Sequence, residues 1–253
     1  MKLFVAFLLS IVLFACQFSS GRLTGGDIRL WQDTPAWDLA KAVKANDTNQ
    51  INHILTKENL SIDYREPLYG ESLLHWAVWN NRIEMVRFLL SKEANPNLHN
   101  QFNGRSPIII SCEDDSDAEI LRLLLKYGGD PNDHVIDKDT VTYERSIQTP
   151  LTNAASTSLE KTKILLEAGA NVDFSIIPGE TPLHIAALGN HFDIVKYLLE
   201  EAGADYHKVF SVTLKGDTLR FTDILAMFPY QDTESNRSNL KQIYEFLEKS
   251  KEQ

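Results

Sequence analysis

The strongest constraint on the fold is a pattern that recurs four times between residues 71 and 205. Its best-developed copy is ETPLHIAALGNHFDIVKYLLEEAGAD, residues 180–205. The other copies are ESLLHWAVWNNRIEMVRFLLSKEANPN, RSPIIISCEDDSDAEILRLLLKYGGDPN and QTPLTNAASTSLEKTKILLEAGANVD. Their first hydroxyl residues lie 34, 43 and 32 residues apart, at Ser72, Ser106, Thr149 and Thr181. A period of roughly 20–50 residues indicates a stack of similar structural units, with an insertion where the spacing is long.

Each copy predicts two helices joined by a turn. A hydroxyl residue followed by proline starts a helix well, because the hydroxyl caps free amides and proline needs no donor at the first position. The alanine pair at 186–187 allows neighbouring helices to approach closely. The apolar residues within 194–199 fall on one face of the second helix, which ends near Gly203. No such unit buries this surface alone, so stacking is required.

The copies resemble ankyrin repeats, whose signature T-P-L-H-x-A-A opens each unit. The resemblance covers roughly residues 36–249 and implies an all-α ankyrin-repeat solenoid of about six helix-turn-helix repeats with β-finger loops. The less regular segments WDLAKAVKANDTNQINHIL, FTDILAMF and NLKQIYEFLEK predict atypical end repeats, because each end must present a solvated face. Within a domain spanning 36–253, the predicted repeats are 36–66, 67–100, 101–135, 143–176, 177–210 and 216–250.

The N-terminus differs in character from the repeats. Residues 3–15 are apolar apart from Ser10. This run is too short for a membrane span, which needs about 20 residues, and has the length of a secretory signal. The segment LFAC, residues 13–16, resembles the lipobox of bacterial lipoproteins, which implies a signal peptide over 1–15 and acylation of Cys16. An ordinary signal with a chance cysteine is the alternative. Residues 16–35 contain several glycines and serines and predict a flexible tether.

The lipobox also implies a location. Gln17 is not the aspartate that retains enterobacterial lipoproteins at the inner membrane. The resemblance therefore favours the bacterial periplasm, with the protein held at the outer membrane by acyl chains such as palmitate. The net charge of −10 disfavours nucleic-acid binding, because an acidic surface repels phosphates. With Cys16 acylated, Cys112 has no partner for an intramolecular disulfide and is predicted to be a buried thiol.

His75 and His184 most invite a catalytic or metal-binding interpretation. Both stand at the histidine of the T-P-L-H signature, so the resemblance implies structural hydrogen bonds between repeats. The acidic run CEDDSDAEI, residues 112–120, lacks the glycine and the terminal glutamate of a calcium loop. A solvated or partner-facing patch is predicted there instead. No catalytic or cofactor-binding motif occurs in the sequence, so we expect no enzymatic activity, no cofactor and no metal.

A protein-binding surface is the remaining candidate site. In ankyrin proteins, partners usually dock on a concave face built from finger tips and from outward positions of each first helix. Carried over position by position, the candidates are Tyr69, Glu71, Trp79, Asn80, Phe102, Arg105, Glu113, Asp114, Tyr143, Arg145, Glu180 and Leu188. An exposed Trp79 fits an interface hot spot, and packing on the neighbouring finger is the equal alternative. The insertion 133–148 predicts an extended hairpin that reaches toward the partner.

Together these features predict a non-catalytic protein-binding module, anchored to the bacterial envelope and monomeric when unbound. The resemblance to periplasmic ankyrin lipoproteins implies a leading role as an immunity protein that neutralises a toxic effector. The alternatives are an accessory protein that supports a periplasmic enzyme, for example in peroxide protection, and a general envelope scaffold. The acidic chain predicts a basic partner protein, such as an effector or a periplasmic enzyme, attracted by electrostatic steering.

Overall fold

A computed structural model describes residues 25–135, 148–176, 179–212, 218–227 and 233–250. Six pairs of α-helices follow one another in these residues, and we number the pairs as repeats 1 to 6. The pairs are α1 Trp37–Ala45 with α2 Thr48–Lys57, α3 Leu73–Trp79 with α4 Ile83–Ser91, α5 Pro107–Ser111 with α6 Ala118–Lys126, α7 Pro150–Ala155 with α8 Leu159–Glu167, α9 Pro182–Leu188 with α10 Phe192–Glu200, and α11 Phe221–Met227 with α12 Glu234–Lys249. The predicted all-α solenoid of about six repeats is confirmed.

Both ends of the stack carry additional elements. A 3-10 helix, Ile28–Trp31, precedes repeat 1. An antiparallel hairpin of β1 Val209–Val212 and β2 Thr218–Arg220 lies between repeats 5 and 6. The last helix has 16 residues, against 9 in α10, the second helix of repeat 5. The end repeats therefore differ from the inner ones, as the sequence predicted.

The first helices begin where the hydroxyl residues predict. The Ser106 hydroxyl accepts the Ile109 amide at 3.5 Å, and the Thr149 hydroxyl accepts the Thr152 amide at 3.0 Å. Thr181 caps α9 in the same way, and proline takes the first position of α5, α7 and α9. Each cap satisfies an amide that the first turn leaves without a helical partner. Local chemistry thus fixes the start of these three helices.

Corresponding helices of neighbouring repeats stack on one another. From repeat 2 onward, each first helix contacts the next first helix, and each second helix contacts the next second helix. The apolar side chains that become buried form three clusters, in repeats 1 to 3, across repeats 3 and 4, and in repeats 4 to 6. Because each cluster draws on neighbouring repeats, burial is the main force that holds the units together.

A ladder of side-chain to backbone hydrogen bonds runs along the loops that follow the second helices. In each step, an Asp or Asn side-chain oxygen accepts a backbone amide of the next repeat. The steps are Asn95 to Asp63 at 3.0 Å, Asp130 to Asn97 at 2.8 Å, Asn171 to Asn132 at 2.7 Å, and Asp205 to Asp173 at 3.1 Å. The step from Asn171 to Asn132 crosses the insertion. The ladder therefore keeps its register where the repeat period is broken.

The two described ends of the insertion, at residues 135 and 148, are joined to each other, and we call this junction the neck. The Val135 amide donates to the Gln148 carbonyl at 3.0 Å, and Asp133 is buried just before this point. The predicted hairpin, with the candidates Tyr143 and Arg145, lies outside the described residues. Because the neck holds residues 135 and 148 together, repeat 4 follows repeat 3 in the stack despite the longer spacing.

The tether prediction is wrong for residues 25–35. Ile28, Leu30 and Trp31 are buried in the first apolar cluster, and Trp31 has no exposed surface. The Asp27 side chain caps their 3-10 helix by accepting the Arg29 amide at 2.9 Å. Composition had favoured flexibility because glycines and polar residues outnumber the three apolar side chains here. Cys16, the predicted signal peptide and the rest of the predicted tether lie outside the described residues.

Candidate partner-binding surface

The finger of repeat 2 is shaped by one buried carboxylate. Glu66 accepts the amides of Leu68 at 2.7 Å, Tyr69 at 2.8 Å and Glu71 at 2.9 Å. Three amides that converge on one carboxylate fix a tight turn, because charge-assisted hydrogen bonds are stronger than neutral ones. The turn directs Leu68 outward, where 61% of its surface is exposed.

The finger of repeat 3 uses an amide side chain for the same purpose. Asn100, located 34 positions after Glu66, accepts the Asn103 amide at 3.0 Å through its side-chain oxygen. Its backbone amide donates to the Arg105 carbonyl at 2.9 Å. The turn presents Phe102, which is 51% exposed. Two successive fingers therefore hold apolar side chains in solvent by means of ordered turns.

The two finger tips meet. The rings of Tyr69 and Phe102 pack edge to face with centroids 4.9 Å apart, and the Gln101 amide donates to the Tyr69 carbonyl at 2.7 Å. We call the surface formed by Leu68, Tyr69 and Phe102 the aromatic tip. Exposed apolar side chains that lie together, on a rigid support, are typical of interaction surfaces. The predicted candidates Tyr69 and Phe102 are thus brought together.

Glu71 was predicted to be a partner-binding residue of the finger, but the structure buries it. Only 3% of its surface is exposed, because residues 25 and 26 lie over it. Its carboxylate accepts the Gly26 amide at 3.4 Å. Burial raises the pKa of Glu71 to about 7; the Gly26 amide and the Trp79 indole oppose the rise. A buried carboxylate with a raised pKa is a poor direct contact for a partner.

Trp79 and Asn80 face the same N-terminal segment. The Asn80 side-chain amide donates to the Gly26 carbonyl at 2.9 Å and to the Trp76 carbonyl at 2.8 Å. A β-carbon placed on Gly26 would lie 3.1 Å from the β-carbon of Trp79. The structure therefore covers part of Trp79 with the chain's own residues. No sequence pattern indicates this contact, because the glycines resemble a linker.

Arg105, Glu113 and Asp114 form the charged part of the surface. Arg105 and Glu113 make a partly buried ion pair, and Asp114 is exposed. Burial raises the pKa of Glu113, and Arg105 opposes the rise. Because Arg105 and Glu113 neutralise each other, Asp114 and its neighbour Asp115 carry the net charge that a partner meets here.

Lys161 is a buried charged residue that sequence reasoning missed. It is 3% exposed, and its ammonium group donates to the Glu113 carbonyl. Burial lowers its pKa. The signal was present in the repeat pattern, because Lys161 and Thr162 occupy the positions of the apolar Ile194 and Val195 in repeat 5. A polar pair in an apolar stripe indicates a local polar interaction in the core.

The candidates of repeat 5 are less prominent. Glu180 and Leu188 are partly exposed, and burial raises the pKa of Glu180. They belong to a repeat that lies two units beyond the fingers of the aromatic tip. The structure therefore places them on the same stack without joining them to the tip.

The signature histidines are structural, and this prediction is confirmed for the contact between repeats 2 and 3. His75 is fully buried, with Nδ1 2.9 Å from the Ser72 hydroxyl and Nε2 3.3 Å from the Arg105 carbonyl of the next repeat. Burial lowers its pKa to about 3. His184 is likewise buried, with Nδ1 2.6 Å from the Thr181 hydroxyl.

A Ser, an Asp and a His also meet near the neck of the insertion. Asp133 accepts a hydrogen bond from the Ser106 hydroxyl and lies 2.9 Å from Nε2 of His99. The carboxylate stands between the other two groups, whereas a nucleophilic triad requires the histidine there. Over the described residues, no cluster of His, Cys, Asp and Glu has the arrangement of a metal site. In the same part of the chain, no helix has the length and apolar character to cross a membrane.

Comparison with known proteins decides the family. The profile described as Ankyrin repeats (3 copies) matches residues 39–135, 74–174 and 135–209. The chain belongs to the ankyrin-repeat family. Such repeats act as protein–protein interaction modules, and the family is generally non-catalytic.

Individual ankyrin proteins show moderate similarity. Human cyclin-dependent kinase inhibitor 2A is 33% identical over 54% of this chain and 86% of its own length. The human transient receptor potential cation channel subfamily A member 1 is 29% identical over 66% of this chain. The chain spans only 14% of that channel. The crystal structure of EF0377, an ankyrin repeat protein, is 27% identical with a TM-score of 0.53, covering 76% of this chain and 98% of that protein.

Proposed function

We propose that this ankyrin-repeat chain is a non-catalytic module that binds a protein partner through the aromatic tip and the adjoining concave face. The observation that carries the proposal is the exposure of Leu68 and Phe102 on two fingers whose turns are fixed from within. A rigid apolar surface loses little conformational entropy on binding, so more of its contact energy appears as affinity.

The charge of the surface indicates the class of partner. The chain carries 35 acidic against 25 basic residues, and Asp114 and Asp115 are exposed beside the Arg105–Glu113 pair. A basic protein is attracted to such a surface from a distance, which raises the rate of association. The proposed partner is therefore a protein with apolar contact residues surrounded by positive charge.

We further propose that the module acts in a bacterial periplasm, anchored at the outer membrane through acylated Cys16, as an immunity protein that neutralises a toxic effector. The support is the LFAC segment behind a short apolar run, together with a binding domain rich in acidic residues. Several acyl chains on one residue give stable membrane anchoring. An accessory role for a periplasmic enzyme is the alternative outcome of the same experiments.

The binding surface is tested with a matched pair of double variants. Leu68→Ser with Phe102→Ser removes the aromatic tip. Tyr127→Ser with Tyr244→Ser removes two exposed aromatic side chains, one at the C-cap of α6 and one within α12. A partner is recovered by affinity purification from the native envelope, and its affinity for each purified variant is then measured by calorimetry.

We expect the tip variant to lose at least about tenfold in affinity, because central apolar contacts dominate binding energy. The control variant should bind as the wild type does. Equal binding by both variants would place the interface elsewhere on the chain. Circular dichroism confirms that the helices are retained in both.

The anchor and the immunity role have their own tests. Labelling with a palmitate analogue should be lost in Cys16→Ala. Deletion of the gene should kill cells only when the effector is present, and expression of the wild type should restore survival. Survival of the deletion strain rejects the immunity role. Recovery of an enzyme whose activity falls in the deletion strain supports the accessory role instead.

A further inference from the structure

A short piece of main chain lies next to Trp79. Two side chains hold Gly26 by its backbone: Asn80 donates to the carbonyl at 2.9 Å, and Glu71 accepts the amide at 3.4 Å. The two bonds join residues that are 54 and 45 positions apart in the sequence. Both side chains recognise the peptide unit itself. We call the site formed by Glu71, Trp79 and Asn80 the Trp79 cleft.

The Trp79 cleft leaves little space for side chains on the segment that it holds. A β-carbon on Gly25 would lie 2.9 Å from Oε1 of Glu71, which is closer than side chains approach in folded proteins. A β-carbon on Gly26 would lie 3.1 Å from the β-carbon of Trp79 and 3.2 Å from the Asn80 side-chain nitrogen. Gly26 also has a φ of 84°, a conformation that favours glycine. Backbone recognition and the close approach of Trp79 therefore favour glycine at position 26, while a side chain at position 25 would require the buried Glu71 carboxylate to shift.

The glycine pair is not what anchors the N-terminal segment to the fold. That role belongs to Ile28, Leu30 and Trp31, which are buried in the apolar core immediately after it. The pair contributes two hydrogen bonds, one of them long, at the edge of the surface. Beside it, a cavity of about 410 Å³ is lined by Lys44 and Trp76, among others. The cleft therefore has a weakly held occupant and space for a further stretch of chain.

We propose that the Trp79 cleft is a peptide-binding subsite, filled in cis by Gly25 and Gly26 and in trans by a partner segment that carries two consecutive glycines. This inference rests on the proposed function, because the cleft is part of the concave face assigned to the partner. The partner segment must therefore present an accessible main chain with no side chains at two successive positions. Binding in trans requires displacement of the chain's own glycines.

The test uses peptides and the full chain carrying Cys16→Ser, so that it remains unacylated. Gly26→Val empties the cleft, because valine meets both the Trp79 contact and the unfavourable φ. The probes are the peptide RLTGGD, which has the sequence of residues 22–27, and the control peptide RLTVVD. Nuclear magnetic resonance follows the Trp79 indole and the Asn80 side-chain amide during titration.

We expect RLTGGD to shift both signals in the Gly26→Val protein and to bind the wild type at least about tenfold more weakly, because the cis segment competes. RLTVVD should shift neither signal in either protein. Adding Asn80→Ala to Gly26→Val should weaken RLTGGD binding by about tenfold. A single cooperative thermal transition, at a temperature somewhat below that of the wild type, shows that the variants are folded.

Three results would overturn the subsite: no shift with RLTGGD at millimolar concentration, equal binding to the wild type and to Gly26→Val, or equal binding of RLTVVD. These outcomes are separate from the partner test. If the aromatic-tip variant loses the partner while RLTGGD does not bind, the proposed function stands and the subsite does not. If RLTGGD binds while the tip variant keeps its partner, the reverse holds.

Discussion

Two neighbouring contacts in the stack differ in the side chains that form them: the contact between repeats 2 and 3, and the contact between repeats 3 and 4. The first lies within the large apolar cluster of the N-terminal half, which includes Leu89 of α4 and Leu124 of α6. The second depends on a small cluster that includes Cys112, Leu151 and Leu165. The insertion enters at this second contact. Repeats with similar sequences therefore do not necessarily pack against their neighbours with equal strength.

The polar bonds across these two contacts also differ. Between repeats 2 and 3, His75 reaches forward to the Arg105 carbonyl. Repeat 3 has Ile109 at the histidine position, and the link is made in the reverse direction, by the Asn153 side chain to the Ile109 carbonyl at 3.4 Å. Lys161 adds a buried bond to the Glu113 carbonyl. Burying charged and polar groups costs free energy that apolar packing does not, so we expect the second contact to be the weaker one.

The largest effect is expected from two equivalent core leucines. Leu89→Ala and Leu165→Ala each remove a fully buried side chain at the same position of the second helix, and each should lower the free energy of unfolding by about 2–5 kcal/mol. Because repeat stability depends on contacts between neighbours, only Leu165→Ala should separate unfolding into two steps. Urea unfolding with hydrogen exchange measures this. A single transition in both variants would contradict the proposed weakness.

The next effect is the pH dependence contributed by Glu71. The pKa of Glu71 is about 7 in the folded chain, compared with 4.5 for an unperturbed carboxyl group in the unfolded chain. Between these pH values, the folded chain therefore keeps a proton that the unfolded chain has lost. The stabilisation is complete below pH 4.5 and is lost as pH rises through 7, a change of at most about 3 kcal/mol. Glu71→Gln should remove this slope in urea unfolding measured across that range.

Two comparisons sharpen that measurement. Glu113→Gln, at the second contact, should change the slope in the same direction but less, because Arg105 opposes the raised pKa. His75 has the opposite effect on the pH dependence, because burial lowers its pKa to about 3. Its contribution to the stability of the fold is therefore complete above pH 6.5 and is lost as the pH falls from 6.5 to about 3. The difference between wild type and Glu71→Gln isolates the carboxyl group. An unchanged slope would show that Glu71 is ionised normally.

Smaller effects are expected from the polar bonds across the two contacts. His75→Ala leaves the Arg105 carbonyl without this donor and should cost about 2–3 kcal/mol. Asn153→Ala removes longer bonds, 3.4 Å each to the Ile109 carbonyl and the Gln148 side chain, and should cost about 1–2 kcal/mol. Thermal unfolding with calorimetry gives both values. A larger cost for Asn153→Ala would mean that polar bonds sustain the second contact.

The smallest effect is expected from the exposed ladder, which serves as the control. Asn97 bonds the Asp130 amide and the Gly128 carbonyl, while Asn132 makes the corresponding bonds to Asn171 and Gly169. Each alanine variant should cost about 1 kcal/mol. Nearly equal costs in thermal unfolding would show that the two contacts differ in their cores and not in their loops.

Much of the fold was predictable because its determinants are local. Thr149 and Thr181 cap the helices that their hydroxyls and following prolines predict, and the alternating apolar positions mark the faces that become buried. The candidate partner-binding residues are brought together only in part. Tyr69 and Phe102 meet at adjacent finger tips, whereas Glu71 is covered by a segment that includes Gly26, 45 positions earlier in the sequence. Pattern alone does not reveal such a distant contact.

By itself, the sequence determined the repeated unit, the number of units and the starts of their inner first helices, because capping and periodicity act over a few residues. Only the tertiary structure decided that Trp31 is core and that Gly25 and Gly26 lie against Trp79. A glycine-rich segment has the same composition whether it is a linker or a ligand for its own domain. The difference lies in which side chains the stacked repeats bring to it.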